Sequence, residues 1–420
     1  MGATGLGSRL KAQLSKFSLA VSEGLTRPQR KFVHQMLYGL QATQDVKLSS
    51  ISRSLQENVP LIKTEDRLSR NLSWQALDVH LLQRLAEMGS RRVTSRTVLC
   101  LDLSDVRKEY AQKMEYLDKV YDGSSGEVHQ GYWLCEVTAA EVHGNEIVPL
   151  YQKLYSSAAP DFQGENAELL GAVDWVGSFV GWRGIWAIDR GGDRRHVLEP
   201  LLERGLRFVI RSTGKRTVIE RRHLKGTVKE VAGRCRLTFA TKVVHIEKGK
   251  EKIYPVHYGA EPIWLPGRKE KLLLVVVAGF GQEPLLLLTN LVARARDSES
   301  LWWIVQIYLT RWKIEETFRF LKQSYNLEDL RVLSYQRLQN LVALVATAAY
   351  FVTTFLGQKM KLRLITEKLL IISARFFGIP LFCFYALAEG IRKALSQGRP
   401  PTCAPPPDTW PVQLFLAWHG

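Results

Sequence analysis

The sequence is poor in cysteine, in uninterrupted apolar stretches and in acidic charge, and each shortage excludes a class of protein. Five cysteines occur in 420 residues, Cys100, Cys135, Cys235, Cys383 and Cys403, widely scattered. None stands in a CxxC pair, so neither a disulfide framework nor a zinc knuckle is expected, and a reducing cytoplasm suits the chain. The opening MGATGLGSRLKAQLSKFSL has no long apolar run and no cleavage site, and does not read as a signal peptide. The uncharged stretch from Leu341 to Gly357 falls short of the ~20 apolar residues that a bilayer span needs, so a buried core helix is expected there. Leu369 to Ile391, interrupted by Arg375 and Pro380, reads the same way. No membrane partner is expected, and no internal repeat is visible.

What is abundant is positive charge. Lys and Arg number 58 against 41 Asp and Glu, a net charge of +17, and the sequence pI is about 9.7. That excess attracts polyanions and speeds encounters with them. Nucleic acid is the leading partner, because every phosphate neutralised releases a counterion. Apolar and charged contents of 46% and 24% are those of an ordinary folded protein. The length allows two or three domains, each with its own core.

Residues 1–95 read as helical, with apolar residues recurring at three- and four-residue spacing through Lys31–Leu40 and Trp74–Met88. The texture then changes. Thr97 to Leu103 (TVLCLDL) is a continuous apolar run with one acid near its end, the pattern of a buried strand. Gly131–Val142 and Glu146–Tyr155 form an expected hairpin about His143-Gly144-Asn145. A helix over Glu165–Phe179, a strand at GIWAID (184–189), a helix over Val197–Glu203 and a strand at Leu206–Ser212 follow. This order specifies a mixed α/β sheet.

Residues 213–285 carry short strands, such as Lys242–Ile246 and Lys252–Tyr258, and little helical period. Between Arg211 and Glu270 stand 15 Lys and Arg against 6 Asp and Glu. A basic β-rich insertion is expected here, after which LLLLTN (285–290) returns to the core. One long helix over 298–322 follows, then helices to about Gln397. The tail, with six prolines between Pro400 and Pro411, is expected to be irregular.

The helix 298–322 concentrates the chemistry. Tyr308, Arg311, Glu315 and Lys322 lie at offsets 0, 3, 7 and 14, which at ~100° per residue fall within about 60° of one another. Leu301, Ile304 and Phe318 share that face, so it points inward. Burying charge is costly unless it is paired or bound to metal. An internal Arg311–Glu315 ion pair would satisfy the same spacing; Glu316, turned aside, is the weaker acid. Asp102 interrupts one apolar strand and Asp189 ends another, positions at which catalytic groups are often placed. Three carboxylates supply hard oxygen ligands that suit Mg²⁺ or Mn²⁺ rather than zinc. Two such ions can clamp the attacking and leaving oxygens of a phosphodiester. Asp105 competes with Asp102 for the first acid. Asp193 is the rival of Asp189, with a helix N-cap role expected for it.

The spacing Y-x2-R-x3-E-x6-K resembles the signature of bacterial insertion-sequence transposases of the DDE type. RWKIEETFRFLK (311–322), DRGGD (189–193), DLS (102–104) and the preceding LLTN (287–290) are similar to the family's corresponding segments. The resemblance covers about 97 to 322. It implies an α/β, ribonuclease-H-like mixed-sheet core interrupted by a β-rich insertion, with helical N- and C-terminal regions. The expected divisions are 1–95 (helical, DNA-binding), 96–212 and 286–345 (core), 213–285 (insertion) and 346–420 (helical, with the Pro-rich tail).

The resemblance further implies catalysis and metal binding by Asp102, Asp189 and Glu315, with Mg²⁺ as cofactor and Mn²⁺ as its substitute. Tyr308, Arg311 and Lys322 would contact DNA phosphates, Arg190 would help to position phosphate, and Trp264 would stack on a flipped base. Lys215, Arg216, Arg221, Arg222 and Lys225 would line the DNA path. The expected partners are double-stranded DNA, as terminal inverted repeats and target, and a second copy of the chain in a paired-end complex. The expected setting is a bacterial cytoplasm, at the nucleoid. Two other readings fit the same residues: a nuclease of this fold that cuts without joining, and a transposase-derived DNA-binding regulator.

Overall fold

The computed structural model of the chain describes residues 3–123, 126–144, 146–220, 224–247, 250–366 and 384–396. Arg221, Arg222 and the Pro-rich tail lie outside them. Five helices open the chain: α1 (Ala3–Val21), α2 (Arg27–Thr43), α3 (Leu48–Leu55), α4 (Leu61–Asn71) and α5 (Leu77–Ser90). Then come β1 (Val98–Arg107), β2 (Asp118–Asp122), β3 (Glu127–Ala140), β4 (Ile147–Tyr155), α6 (Glu165–Val180), β5 (Ile185–Ile188), α7 (Arg195–Glu203) and β6 (Phe208–Arg211). Residues 213–285 supply β7 (Thr217–Glu220), β8 (Lys225–Thr227), α8 (Val228–Arg234), β9 (Phe239–Glu247), β10 (Lys250–Trp264) and β11 (Lys271–Ala278). The chain continues with β12 (Leu285–Thr289), α9 (Ser298–Thr310), α10 (Trp312–Ser324), α11 (Tyr335–Tyr350), α12 (Gln358–Thr366) and α13 (Phe384–Ser396).

The centre is a mixed sheet. Antiparallel β4, β3 and β1 are followed by β5, parallel to β1, and β6, parallel to β5. A three-strand meander beside two parallel crossover strands is the ribonuclease-H-like arrangement. Pro149 sits in β4 opposite Thr138, where the register with β3 shifts. A proline has no N–H for the ladder, so it is placed on a strand that pairs on one side, at an irregularity.

The strands of 213–285 prolong this sheet. β6 pairs with β12, β12 with β11, β11 with β10, and β10 with both β9 and β7. Among them lies α8, which strand-like composition did not announce. Its cause is local: Thr227 and Glu230 form a capping box, the Glu230 amide donating to Thr227 Oγ1 and Glu230 Oε2 accepting from the Thr227 amide.

The helices cover the sheet. α11 packs on α5, α2 and β4, and two buried side chains fasten it. Asn340 accepts from the Asp78 amide and donates to the Leu72 and Trp74 carbonyls. Gln41 donates to the Ala348 carbonyl and the Tyr325 hydroxyl. Every one of these polar groups would be costly to bury unpaired. The helical run Tyr335–Phe355 has a mean hydropathy of 1.5 and is long enough to cross a membrane, yet 89% of its apolar window is buried inside the protein. It is the core helix that the sequence suggested.

One expected helix is two. The axis over 298–322 breaks at Arg311, where the Arg311 amide bonds back to Tyr308 O and the Ile314 amide to Arg311 O. These three-residue bonds tighten the turn. Just before it, the Thr310 hydroxyl donates to Gln306 O, a back-bond that bends helices.

Candidate active site

Two adjacent parallel strands set the first pair of acids side by side. The β1–β5 register ends at Leu101 opposite Ile188, so the next residues, Asp102 and Asp189, are neighbours across the sheet. β1 does not stop at Leu103, where the apolar run ends; it continues to Arg107, and Asp102 stands mid-strand opposite Glu136 of β3. Over this edge lie α9, packed on β5 and β6, and α10, packed on β1. The broken joint between the two helices delivers Arg311 to the acids.

Arg311 is 2% exposed and bridges two of them. Its Nη1 donates to Asp102 Oδ2 at 2.7 Å and its Nη2 to Glu315 Oε1 at 2.8 Å. The helical Arg311–Glu315 pair therefore exists, but as half of a larger arrangement. Asp189 completes it: Tyr308, itself 1% exposed, donates its hydroxyl to Asp189 Oδ1 at 2.8 Å, and Arg211 approaches the same oxygen to 3.8 Å. The Arg311 guanidinium also lies 5.5 Å from the Tyr308 ring centre.

Electrostatics separate the two aspartates. Burial pushes the Asp102 carboxyl up to about 6, against the pull of Arg311 and with the help of the Asp189 charge. Burial acts on Asp189 too, but Arg311, the Tyr308 hydroxyl and Arg211 together outweigh it and hold it below the usual carboxylate range. Burial raises the Tyr308 hydroxyl, so it stays a donor. The acids raise Arg311 despite its burial, which keeps it a cation.

The rival acids are otherwise engaged. Asp193 does not cap α7, as expected from its place in the sequence; Arg194 stands there. The Asp193 carboxylate, 1% exposed, accepts from Ser212 Oγ at 2.8 Å, from the Thr213 amide at 2.8 Å and hydroxyl at 3.1 Å, and from Arg216 Nε at 2.5 Å. It staples the end of β6 to the start of the next segment, and it takes Arg216 away from the surface. Asp189 keeps 36% of its side chain exposed. Asp105 is buried, with Lys322 Nζ 3.3 Å from Oδ1 and no hydrogen bond to Oδ2. Glu316 is buried and paired with Arg319 at 3.1 Å.

The remaining sequence candidates are spread out. Lys322 lies between Asp105 and Glu328, at 3.3 and 3.2 Å. Arg190 is exposed at the start of the single turn that follows β5. Trp264 is half-buried at the end of β10, opposite Lys271 and Ile219. Lys215 and Lys225 are exposed.

One acid escaped the sequence reading. Glu136 is 1% exposed and faces Asp102 across β1 and β3. It accepts from Thr138 Oγ1 at 2.7 Å and Gln152 Nε2 at 3.0 Å, and burial pushes its carboxyl up to about 7. The signal was there: an acid inside the apolar run YWLCEVTAA, the same irregularity that marked Asp102.

Among the described residues, no three His, Cys, Asp or Glu side chains converge as a ready-made metal cluster, because Arg311 stands between Asp102 and Glu315. The donor set still fits a hard divalent cation. Asp102, Asp189 and Glu315 are gathered about one positive charge, and their ligand atoms are all carboxylate oxygens.

The Tyr308 contact yields a test. Replacing Tyr308 with Phe removes only the hydroxyl that orients Asp189. A loss of about 10- to 100-fold in activity is expected, the scale of an outer-shell partner of a ligand, with unchanged thermal stability to within a degree or two. Full activity in Y308F would show that Asp189 is held by other means.

Residues 95–351 match the family model described as a transposase DDE domain. No curated protein matches the chain. Among solved structures, the chain is similar to a cryo-EM structure of a piggyBac transposase synaptic complex with hairpin DNA, at 10% identity and a TM-score of 0.46, covering 93% of this chain and 78% of that one.

Proposed function

Since the chain belongs to the DDE transposase family, we propose that Asp102, Asp189 and Glu315 are the three acids with which it cuts and joins DNA. The protein is a DNA transposase, and the substrate of that activity is DNA. The observation that carries the site assignment is that Arg311 holds Asp102 and Glu315 together while Asp189 stands beside Asp102 at the end of the adjacent strand.

In the proposed reaction, water attacks the phosphodiester at a terminal inverted repeat, and the bond to the 3′-oxygen breaks to leave a free 3′-hydroxyl. That hydroxyl then attacks a phosphodiester of target DNA, forming a new P–O bond and expelling a second 3′-oxygen. Asp102, Asp189 and Glu315 would hold two Mg²⁺ ions, with Mn²⁺ able to replace them. When bound, such ions supply Lewis-acid stabilisation of the attacking and leaving oxygens. Tyr308 keeps Asp189 oriented. Arg311, Lys322 and Arg190 neutralise phosphate, and Trp264 offers a face to an unstacked base, a contact worth ~1–3 kcal/mol per base.

Residues 1–95 are assigned to DNA binding, 96–212 and 286–345 to the core, 213–285 to the insertion, and 346–420 to the helical C-terminal region. Pairing of two ends calls for at least a homodimer, acting at the nucleoid in the cytoplasm.

The test is a joining assay. Inverted repeats flanking the gene define the substrate, and a duplex ending in a labelled 3′-hydroxyl is incubated with target DNA and Mg²⁺. Joined product is expected. Cleavage of the uncut repeat without any joining identifies a nuclease, and binding without either reaction identifies a regulator.

A further inference from the structure

The residues that would bind phosphate are not available to it in this arrangement. Arg311 is 2% exposed, Tyr308 is 1% exposed, and both are spent on the acids. A guanidinium bridging two carboxylates cannot share them with a divalent ion placed between the same oxygens, because the positive groups repel and compete for the same lone pairs. The Arg311 Nε is buried and makes no hydrogen bond, so one of its donors is unsatisfied where it now lies, an arrangement that costs free energy. A phosphate offers the planar fork a bidentate partner. Arg311 therefore has two alternative sets of anions: the acids of its own chain and the backbone of DNA.

We propose that Arg311 is an exchangeable internal cation. It neutralises the acid cluster in the metal-free protein, and a DNA phosphate draws it off, so that DNA binding and divalent-metal binding strengthen each other. This rests on the assignment of Asp102, Asp189 and Glu315 as metal ligands. Linkage makes the effect reciprocal: whatever DNA does to metal affinity, metal does to DNA affinity by the same factor. Without DNA the acids hold arginine, and the site resists loading. A chain with no bound substrate is thereby kept from cutting.

The test is a calorimetric titration of the full chain with Mn²⁺, alone and with a duplex of fixed sequence present. Arg311→Lys keeps the charge but loses the fork that spans two carboxylates, and Arg311→Gln loses both. In the absence of DNA, R311K should bind Mn²⁺ about threefold more tightly than the wild type, and R311Q about tenfold or more, a change worth about 1.4 kcal/mol. Adding duplex should tighten Mn²⁺ binding to the wild type by about tenfold and to R311Q by no more than about twofold, since the coupling constant is what the variant removes.

Arg211→Gln controls for simple charge, because Arg211 also approaches Asp189 but bridges nothing. It should move Mn²⁺ affinity less than R311K does. The proposal is overturned if R311K binds Mn²⁺ like the wild type, if R211Q gains as much as R311Q, or if DNA tightens Mn²⁺ equally in wild type and R311Q. If R311Q does not fold, R311K and R211Q decide by themselves. Should Mn²⁺ bind the wild type with an affinity that Asp102→Asn, Asp189→Asn and Glu315→Gln leave unchanged, the metal-ligand assignment itself has failed, a result distinct from all of these.

Discussion

Asparagine in place of Asp189 is expected to abolish both end cleavage and joining while leaving the chain folded. The carboxylate lies beside Asp102 across β1 and β5, keeps a third of its surface open, and is held ionised by Arg311, Tyr308 and Arg211. The amide of asparagine has almost the same shape and can still accept from Tyr308. What it lacks is the negative charge that a divalent ion requires. Metal ions stabilise charge in such transition states by several kcal/mol, and each 1.36 kcal/mol is tenfold in rate, so a loss of at least about 10³-fold in cleavage is expected. The melting temperature should move little, because the site is at the surface of the core and Arg311 retains Asp102 and Glu315. Cleavage within tenfold of the wild type would remove Asp189 from the reaction. The same substitution tests the direction of its titration: a group held below its ordinary range contributes stability above the unfolded value and loses it as pH falls, so the acid limb of the stability curve should be flatter in D189N.

Asparagine in place of Asp193, four residues on, should give the opposite result. Its carboxylate is closed off from solvent and takes four hydrogen bonds from Ser212, Thr213 and Arg216. Removing the charge leaves the Arg216 guanidinium, also mostly enclosed, without its counter-charge. Breaking one member of a buried pair costs about 3–5 kcal/mol, and the strand β6, which pairs with β5 and β12, would lose its terminal staple. D193N should therefore unfold at a markedly lower urea concentration, with whatever folded protein remains still cleaving DNA. Stability equal to the wild type together with lost catalysis would reverse the roles assigned to Asp189 and Asp193.

This pair of acids shows where the sequence was legible and where it was not. DRGGD contains two aspartates four residues apart from strand end to turn, and local pattern cannot say which is buried. The answer depends on Ser212, Thr213 and Arg216, about 20 residues away and visible only once β6 lies beside β5. The apolar runs were read correctly as strands because a buried parallel strand needs apolar residues on both faces. The order of helices and strands from 97 to 212 followed from that, except for β2 (Asp118–Asp122), whose short polar sequence contains no apolar run. Asp102 and Glu136 both interrupt such runs. For Asp102 that irregularity and a matching family segment point the same way, whereas Glu136 carries the irregularity alone.

The helix face carrying Tyr308, Arg311, Glu315 and Lys322 was visible as periodicity. Its break at Arg311 was not, since the residues on either side are ordinary helix formers and the tightened turn shows only in the backbone bonds of Arg311 and Ile314. Nor does spacing along a helix show that Arg311 reaches across to Asp102, 209 positions earlier. In residues 213–285, short segments of strand-like composition without helical period indicated strands, whereas the attachment of those strands to β6 through β12 depends on pairings that no local segment encodes.

The central claim is that Asp102, Asp189 and Glu315 form one divalent-metal site, and anomalous scattering from crystals of the chain grown with Mn²⁺ and a duplex end tests it most directly. Manganese bound by carboxylate oxygens of all three residues, with Arg311 withdrawn from Asp102 and Glu315, is the predicted result. Manganese bound at Asp105 or Asp193 instead, or Arg311 still bridging Asp102 and Glu315 with manganese elsewhere, would contradict it.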